Sequence, residues 1–243
     1  MGRVIMSGVV PLLSKPVKGT EISTLSVGSS VYLMENNVRT EFLIINQGNP
    51  DATQYDSSCD GTWLLRKEGG VVQLINDTQV NGYGTSRLNT WYNSDYFNSL
   101  GAKEQQAIRE VKIPYSGGTN GSEVLIGANG LSTKIFALSC YEVGLSVSTS
   151  ARYMPVEGAK LSYFIEGSGY NATEANAQRI AYKDGATINW SLRSNYTGNT
   201  INFWYISDTG TEQRGYANGS FSIRPALILP STAKIDDTGL LIG

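Results

Sequence analysis

The sequence predicts an α+β fold built from short antiparallel strands, two main short helices and long loops. Only 16% of the residues are charged, whereas 27 glycines and 14 tyrosines favour turns, short strands and an uncharged polar surface. Short β-branched or alternating runs bounded by turn residues recur along the chain. Apolar residues with clear helical spacing occur in two places. Together these observations indicate a loop-rich, β-containing fold.

The strands are expected where a β-branched or alternating run lies between turn residues. Seven runs qualify: 30–35, 41–46, 71–75, 135–139, 190–194, 202–207 and 221–229. All are short, as is usual for strands of globular domains.

The two helices are predicted back to back. Leu88, Trp91 and Tyr92 share one face of a helix that starts near residue 85. The segment AKEQQAIREV at 102–111 repeats this spacing. We therefore expect two short helices between the third and fourth predicted strands.

Long connections occupy much of the remaining sequence. Ser139 and Glu142 have the spacing of a helix capping box, and 158–164 is compatible with a further helical turn. The connections 112–133 and 144–160 are both long. Long loops inside a compact domain usually argue against an assignment of elements unless the loops are functional.

Charge and hydropathy exclude two classes of partner. The formal net charge is -2 and no cluster of Lys and Arg exceeds a pair, so the basic surface that nucleic-acid binding needs is missing. No apolar stretch approaches the roughly 20 residues of a membrane span, so membrane insertion is not expected. The segment VIMSGVVPLL at 4–13 is followed by no small-x-small cleavage site. We interpret residues 1–27 as an N-terminal arm for assembly or attachment.

The absence of histidine restricts the chemistry that the chain can support. It removes His-assisted serine, cysteine and acid–base catalysis, and most transition-metal sites. A carboxylate-dependent enzyme remains an alternative, because a glycosidase needs only a pair of acids facing each other across a sugar. We expect a protein without enzyme activity and without a cofactor.

One acidic segment, NPDATQYDSSCDGTW, resembles a calcium loop in part; its acids are Asp51, Asp56 and Asp60. Asp56, Ser58 and Asp60 imitate the first half of an EF-hand loop, but Lys67 stands where a bidentate Glu should complete the calcium shell. We therefore expect a turn held by Asx hydrogen bonds and no metal. Calcium binding and catalysis are the alternatives for these acids.

Cys59 and Cys140 are the two cysteines of the chain. They form no CxxC pair and no histidine accompanies them, so neither a disulfide framework nor a zinc site is indicated. We expect two free thiols.

Six spaced motifs occur in a fixed order along the chain. They are RLNTWYNSDYFNSL, EQQAIREVKIPY, LSTKIFALSCYEVG, LSYF, WSLRS and SIRPALILP. Taken together they resemble a tail-associated protein family of bacteriophages and prophages that carries a C-type-lectin-like domain. The resemblance implies a C-type-lectin-like fold at 28–232, followed by a C-terminal tail at 233–243.

That family is similar to the variable proteins of diversity-generating retroelements, in which a lectin-like scaffold displays a variable segment between fixed strands. Adenine-rich templates leave Asn, Tyr, Ser, Thr, Asp and Gly over-represented in such segments, and residues 195–221 have this composition. The fixed strands would be 190–194 and 224–229. Ser191 and Asn195 depart from the Trp and Pro that relatives often have in the upstream frame.

Other lectin-like proteins have motifs that this chain lacks. Formylglycine-generating enzymes need a late cysteine pair, whereas the last cysteine here is Cys140. Iron-dependent relatives need histidines, and calcium-dependent sugar lectins need Glu-Pro-Asn or Gln-Pro-Asp with Trp-Asn-Asp. Their functions are therefore not carried over by similarity of fold.

The composition of 195–221 also has a direct physical interpretation. Tyr and Trp offer large contact areas at a low entropy cost, and Ser, Gly and Asn supply adaptable hydrogen bonds. Alternation in a strand predicts Phe203 inside and Trp204 in the binding face. The predicted ligand-binding residues are Tyr196, Asn199, Asn202, Trp204, Tyr205, Gln213, Arg214, Tyr216 and Asn218.

The flanking frame is predicted to serve the core. Its apolar members are Trp190, Leu192, Ile223 and Leu227. Arg193 and Arg224 lie in the same frame, and we interpret them as buried arginines that hold loop carbonyls, with anion binding as the alternative.

These expectations favour a receptor-binding or adhesin protein of a phage tail or related particle. Its partners would be a bacterial cell-surface protein or glycan and other tail or particle proteins. Because a weak binding surface gains avidity from several copies, we expect a homo-oligomer, with a trimer favoured. The expected location is the virion or a bacterial cell surface. The alternatives are a carboxylate-dependent depolymerase of surface polysaccharide and a purely structural tail component.

Overall fold

The computed structural model of the chain describes residues 19–80, 82–117 and 123–242. Its strands are numerous and short and its helices are few and short, which confirms an α+β fold in which β structure predominates. The strands in chain order are β1 (Thr20–Glu21), β2 (Ser30–Glu35), β3 (Val38–Gln47), β4 (Thr62–Arg66), β5 (Val72–Leu74), β6 (Val111–Ile113), β7 (Tyr115–Ser116), β8 (Val124–Leu125), β9 (Leu131–Thr133), β10 (Ile135–Phe136), β11 (Ala181–Lys183), β12 (Ala186–Ile188), β13 (Trp190–Asn195), β14 (Asn202–Ile206), β15 (Glu212–Tyr216), β16 (Ser220–Ser222), β17 (Ala226–Leu229) and β18 (Lys234–Ile235). The helical segments are α1 (Arg87–Trp91), a π-helical turn (Tyr92–Tyr96), α2 (Phe97–Ser99), α3 (Ala102–Ala107), α4 (Thr173–Arg179) and the 3-10 turns Ile22–Thr24, Ser57–Cys59 and Ala151–Tyr153.

Two five-stranded sheets form the framework. The first has the order β10-β17-β4-β3-β2, and all of its neighbours are antiparallel. The second has the order β15-β14-β13-β16-β5, in which only β13 and β16 are parallel. The smaller pairs are β1 with β18, β6 with β9, β7 with β8, and β11 with β12.

Both faces of the first sheet are buried. Along β3, Phe42 and Ile44 enter one hydrophobic cluster, whereas Leu43 and Ile45 enter another. Successive side chains of a strand point to opposite faces, so this sheet lies between two cores. Each fully buried aliphatic side chain stabilises the fold by about 1.5–3 kcal/mol. The central strands therefore contribute to both cores and read as continuous apolar runs.

Five of the seven predicted strands are confirmed with small changes at their ends: β2, β3, β5, β13 and β14. The run 135–139 forms a strand only at β10, and 221–229 is divided into β16 and β17. Pro225, which has no N–H donor, lies in that break. No strand is predicted at β4, because its sequence TWLLR lacks the alternation of a half-buried strand.

The first predicted helix is confirmed. Ser86 Oγ accepts a hydrogen bond from Asn89 N at 3.0 Å and caps α1. Helical backbone continues through the π-helical turn and α2, and Leu88 and Tyr92 are buried. None of the described helices is long and apolar enough to cross a membrane.

The second helix is shorter than predicted. It begins at Ala102 but ends at Ala107, because Ile108 has an extended conformation with ψ 126°. Val111 instead begins β6 and pairs with Thr133. Ile108 and Val111 are both buried, so their spacing reflects burial of two separate segments and not one helical face.

Ser139 and Glu142 make both hydrogen bonds of a capping box, although a turn follows instead of a helix. Ser139 N donates to Glu142 Oε2 at 2.9 Å, and Glu142 N donates to Ser139 Oγ at 3.1 Å. The helical turn expected within 158–164 is a single turn, in which Phe164 N donates to Leu161 O at 3.0 Å.

The described fold extends beyond the predicted domain limits of 28 and 232. Residues 1–18 of the predicted arm lie outside the described residues. The rest of the arm includes β1, which pairs with β18 of the predicted tail, and Ile22 is fully buried. In that tail Leu241 is buried and its N–H donates to Tyr32 O at 3.0 Å. Sequence composition misses these contacts because each segment contributes few apolar residues of its own.

Cys59 and Cys140 are free thiols, as predicted, and both are buried. Burial raises the pKa of Cys59 to about 12 and raises the pKa of Cys140 well above its ordinary value. Because the thiolate is the reactive form of cysteine, these thiols are chemically quiet core residues.

Candidate functional site

The turn between β13 and β14 carries the first predicted ligand-binding residues. Tyr196 N donates to Asn202 O at 3.0 Å, and Asn199 Oδ1 accepts hydrogen bonds from Ile201 N at 3.0 Å and Asn202 N at 2.9 Å. A Cβ on Gly198 would lie 2.3 Å from Cε1 of Tyr196. The glycine therefore lets the Tyr196 ring fold back over its own turn.

Three aromatic side chains meet beside this turn. The Tyr196 ring lies 5.0 Å from that of Tyr153 and 5.4 Å from that of Trp204, measured between centroids. Trp204 Nε1 donates to Tyr153 O at 3.1 Å, and Thr197 N donates to the same carbonyl at 3.0 Å. These bonds fix the 3-10 turn Ala151–Tyr153 against the β13–β14 hairpin.

The register of β14 and β15 adds two further predicted residues to this face. Trp204 pairs with Arg214, and Asn202 pairs with Tyr216. Directly opposite residues and every second residue share one face of a sheet, so all four side chains lie on the same side. The Arg214 guanidinium lies 5.0 Å from the centroid of the Tyr196 ring.

Together these residues enclose a pocket of about 300 Å³, here called the aromatic pocket. Its lining residues are Ser150, Tyr153, Tyr196, Trp204, Glu212, Gln213 and Arg214. Four of the nine predicted ligand-binding residues are among them: Tyr196, Trp204, Gln213 and Arg214. The pocket lies at the small end of the range usual for small-molecule sites.

Glu212 supplies a carboxylate to the pocket and is held from behind by two loops. Its Oε1 accepts from Ser148 Oγ at 2.6 Å, and its Oε2 accepts from Gly169 N at 3.4 Å. Burial lowers the pKa of Arg179, and the charge on Glu212 opposes that change. The carboxylate is therefore fixed in place close to a buried cation.

A second polar cluster lies inside the domain. Arg193 donates from Nη1 to Glu142 Oε2 at 2.5 Å and from Nη2 to Glu142 Oε1 at 2.6 Å, and both side chains are fully buried. Arg193 also donates to Pro114 O at 3.0 Å and to Ala137 O at 2.9 Å. Although burial opposes it, the Glu142 carboxylate holds the pKa of Arg193 above its ordinary value. The expectation that Arg193 holds loop carbonyls is confirmed.

Glu157 is a further buried acid next to this pair. Its Oε1 accepts from Ser116 N at 2.6 Å, and its Oε2 accepts from Ser194 Oγ at 2.5 Å. Burial raises the pKa of Glu157, and the charge on Arg193 opposes that rise. Sequence analysis misses both Glu142 and Glu157 as members of one cluster, because nothing in their spacing relates them to Arg193.

A family model matches residues 60–231. This range includes every strand of the two five-stranded sheets except β2 and β3, and it also includes the aromatic pocket and the Arg193–Glu142 pair. The chain belongs to the family described as Domain of unknown function (DUF6273). No curated protein and no solved structure matches the sequence of this chain.

In this DUF6273 domain the exposure of the Trp204 side chain differs from the prediction. It is only 4% exposed and its indole N–H is hydrogen-bonded, so the expectation that it is exposed is wrong. The sheet has a core on each face, so alternation sends Phe203 into one core and Trp204 into the other. The interior position of Phe203, which is 1% exposed, is confirmed.

The nine predicted residues of the DUF6273 domain do not share a single surface. The Tyr205 ring lies 4.6 Å from the ring of Phe221, on the face of β14 opposite to Trp204. Asn199 caps its own turn. Tyr216 and Asn218 are exposed beyond the pocket. The structure therefore brings four of the nine predicted residues together at the aromatic pocket, and not the full set.

The frame of the DUF6273 domain agrees with its prediction. Its four apolar members are all at most 1% exposed: Trp190, Leu192, Ile223 and Leu227. Arg224 donates from Nε to Arg66 O at 3.0 Å, and burial lowers its pKa to about 10. Asn195 also belongs to the frame, because it is 1% exposed and its Oδ1 accepts from Gly82 N at 3.0 Å.

The acidic loop of the DUF6273 domain forms Asx turns, as predicted. Asp56 Oδ1 accepts from Ser58 N at 2.8 Å, and Asp51 Oδ1 accepts from Thr53 N at 2.8 Å. Hydrogen bonds from the side chains of Thr53 and Ser58, together with these backbone N–H groups, lower the pKa of Asp51 and Asp56 respectively. Within 19–80, 82–117 and 123–242, no three His, Cys, Asp or Glu residues are grouped as metal ligands would be. Metal independence stays a prediction.

Proposed function

We propose that the chain is a receptor-binding or adhesin protein of a phage tail or related particle. Its domain would bind a bacterial surface ligand in the aromatic pocket without catalysing a reaction. The observation that carries this proposal is the pocket itself, because three aromatic rings and an arginine from separate segments converge on it.

The arrangement of the pocket residues supports a binding role. Tyrosine rings and a serine hydroxyl are among the groups that antibody-like binding surfaces use. The pocket combines residues of the 195–221 segment with Ser150 and Tyr153 from the long connection 144–160. Long loops that carry binding residues on a rigid scaffold are a common solution for recognition.

The finer fold assignment is also a proposal. A C-type-lectin-like domain would consist of short antiparallel strands, two early helices and a long loop region before the C-terminal strands. The order of α1, α3, the 144–160 connection and β13 to β17 is compatible with that description. The six sequence motifs remain the main support for it.

The distribution of acids favours binding over depolymerisation. A glycosidase requires two carboxyl groups about 5–10 Å apart across the sugar. Among the described residues that line the aromatic pocket, Glu212 is the one acid, and its carboxylate already accepts two hydrogen bonds. A structural tail component is the other alternative, and it gives no account of a pocket of this composition.

Assembly and location complete the proposal. Residues 1–27 would attach the domain to a particle or to two further copies of the chain, and several weak pockets facing one cell would gain avidity. The partners would be a bacterial surface protein or glycan and other particle proteins. The protein would use no metal, cofactor, nucleic acid or membrane insertion.

The test is binding of the fluorescently labelled chain to intact cells of a panel of Gram-positive and Gram-negative bacteria, read by flow cytometry. We expect at least one strain to bind the wild type and to bind Arg214→Ala several-fold less. Tyr216→Ala should also weaken binding, because Tyr216 is on the same sheet face and 54% exposed. Tyr182→Ala is the matched control, since Tyr182 is 49% exposed but does not line the pocket. Equal binding of wild type and Arg214→Ala, or no bound strain, would contradict the proposal.

A further inference from the structure

We propose that β15 pairs with β15 of a second copy of this chain, antiparallel and about a two-fold axis beside Gln213. The proposal goes beyond the binding function of the aromatic pocket, because it concerns the outer edge of the second sheet. It is carried by the open backbone of β15, by the continuous register of β15 with β14, and by the opposite charges of Glu212 and Arg214.

β15 is an edge strand with outward backbone groups. Ser207 N donates to Thr211 O at 2.8 Å, so these residues form a hydrogen-bonded pair of the β14–β15 ladder. Such pairs recur at every second residue of an antiparallel ladder. Gln213 therefore bonds to β14, whereas the N–H and C=O groups of Glu212 and Arg214 point away from the sheet. Among the residues that the structure describes, none hydrogen-bonds to these outward groups.

The other edges of the two large sheets are covered or shorter. On β2 the outward backbone groups of Tyr32 and Met34 are bonded to residues of other segments: Gly239, Leu241, Gly101 and Glu104. β10 has two residues, and β5 has three residues and no charged side chain. In the part of the chain that the structure describes, the five residues of β15 are therefore the longest open edge.

β15 lacks the devices that usually prevent edge pairing. Proteins block exposed edges with proline, with β-bulges or with charges that would meet like charges on another copy. β15 contains no proline, and its register with β14 runs over five residue pairs without a shift. Gln213, Arg214 and Tyr216 are exposed. A further strand can therefore approach this edge.

The two charges select one register. Only residues whose backbone points outwards can pair with each other across the new contact. Glu212 or Arg214 opposite itself would bring like charges together, which is destabilising. Arg214 opposite Tyr216 would leave Glu212 without a charged partner. Arg214 opposite Glu212 of the second copy forms an ion pair on each side of the axis, and each residue pair exchanges both backbone hydrogen bonds.

Glu212 is positioned for this contact by its own domain. Its carboxylate accepts hydrogen bonds from Ser148 Oγ at 2.6 Å and from Gly169 N at 3.4 Å. A carboxylate has about four acceptor positions, so it can still accept from a guanidinium. The acid is thus held at the edge before the second copy arrives, and less side-chain entropy is lost on pairing.

The pairing would place two aromatic pockets on the same side of one continuous sheet. The side chains of Glu212 and Arg214 line the pocket and share one face of β15. A two-fold axis between antiparallel strands is perpendicular to the sheet, so each face of one sheet continues as the same face of the other. Both pockets would therefore face one cell, and the pair of copies would gain avidity.

Cysteine cross-linking tests the register directly. Gln213 would lie opposite its own copy in a closely spaced pair with Cα atoms about 4.5 Å apart, within the range of a disulfide. We expect Gln213→Cys to form a covalent dimer under mild oxidation, read by non-reducing gel electrophoresis and mass spectrometry. Asn218→Cys is the control, because Asn218 is also exposed but lies away from the axis. Both native thiols are buried.

Charge exchange tests the ion pairs. Arg214→Glu and Glu212→Arg should each weaken dimerisation about tenfold or more, measured by analytical ultracentrifugation, because like charges then meet across the axis. An equimolar mixture of the two variants should form a heterodimer, since every acid again faces an arginine. Arg87→Glu makes the same charge change away from β15 and should leave dimerisation unchanged. Melting curves verify that the variants are folded, and the cross-link does not depend on them.

Three outcomes would overturn the proposal: a wild type that is monomeric at about 1 mM, equal cross-linking of Gln213→Cys and Asn218→Cys, or no heterodimer from two folded charge variants. If the wild type is monomeric but still binds cells through Arg214, this proposal fails and the proposed function stands. If the chain dimerises as described but binds no strain, the reverse holds.

Discussion

Arg193 and Glu142 form an ion pair of two hydrogen bonds, at 2.5 and 2.6 Å, in which neither side chain is exposed to solvent. Two further Arg193 N–H groups donate to the carbonyls of Pro114 and Ala137, in two other segments. Tyr55 donates to Glu142 Oε1 at 2.8 Å. The pair therefore joins β13 to the loops that precede it, and removing one partner leaves a buried charge without compensation.

We predict that Glu142→Gln lowers the free energy of unfolding by about 3–5 kcal/mol, the usual cost of breaking a buried pair. Urea denaturation followed by circular dichroism measures this change. Asp77→Asn removes the acid of the Arg87–Asp77 pair, whose side chains are 48% and 69% exposed, and should cost about 1 kcal/mol or less. Similar losses for the two variants would show that burial does not determine the energy of the Arg193 pair.

Glu157 gives the stability a pH dependence of defined sign. Burial raises its pKa in the folded protein above the ordinary value of 4.5. Its contribution to stability is therefore present below the unfolded pKa and is lost as the pH rises through the folded pKa. The free energy of unfolding of the wild type, minus that of Glu157→Gln, should decrease as the pH rises from about 4 towards 7.

Comparison with Glu157→Gln separates the effect of Glu157 from that of acids whose pKa is shifted in the opposite direction. The pKa values of Asp51 and Asp56 are lowered by hydrogen bonds, so the contribution of both groups to the free energy of unfolding is lost as the pH falls. Both are unchanged in the variant and cancel in the difference. A difference that is flat or increases over this pH range would show that Glu157 is not a destabilised buried acid.

The sequence predicts well where one physical signal dominates. Phe203 inside, Trp190 in the frame and the strands β13 and β14 all follow from apolar alternation next to turn residues. The capping-box spacing of Ser139 and Glu142 likewise identifies two hydrogen bonds that exist. Local patterns of this kind depend on neighbours in sequence.

Long-range contacts account for most of what was not predicted. Tyr153 joins the pocket from the 3-10 turn Ala151–Tyr153, which is distant in sequence from the β13–β14 hairpin. Trp204 is buried because a second core covers the other face of its sheet, which no local pattern reveals. β4 is missed for a related reason, since two-sided burial removes the alternation that identifies a strand.

Gly198 offers a way to move the Tyr196 ring without changing any residue that lines the pocket. Its added Cβ would lie 2.3 Å from Cε1 and 2.7 Å from Cζ of Tyr196, so the ring must move away from the turn. We predict that Gly198→Ala weakens cell binding several-fold and also lowers the free energy of unfolding, because the Tyr196 ring is 7% exposed and packs in the core. Thr197→Ala is the control in the same turn, because its backbone N–H still donates to Tyr153 O. Unchanged binding of Gly198→Ala would show that the Tyr196 ring position is unimportant for the ligand.

Trp204 and Tyr216 test the separation of folding from binding. Both were expected to be displayed, but Trp204 is 4% exposed and Tyr216 is 54% exposed. Trp204→Ala should cost about 3–5 kcal/mol of folding free energy, because it leaves a cavity in the core and removes the hydrogen bond from the indole N–H to Tyr153 O. Tyr216→Ala should cost about 1 kcal/mol or less and act mainly on binding. Urea denaturation and cell binding of the same two variants measure both effects. Equal stability losses would mean that Tyr216 supports the fold as Trp204 does, and that it is not part of a displayed surface.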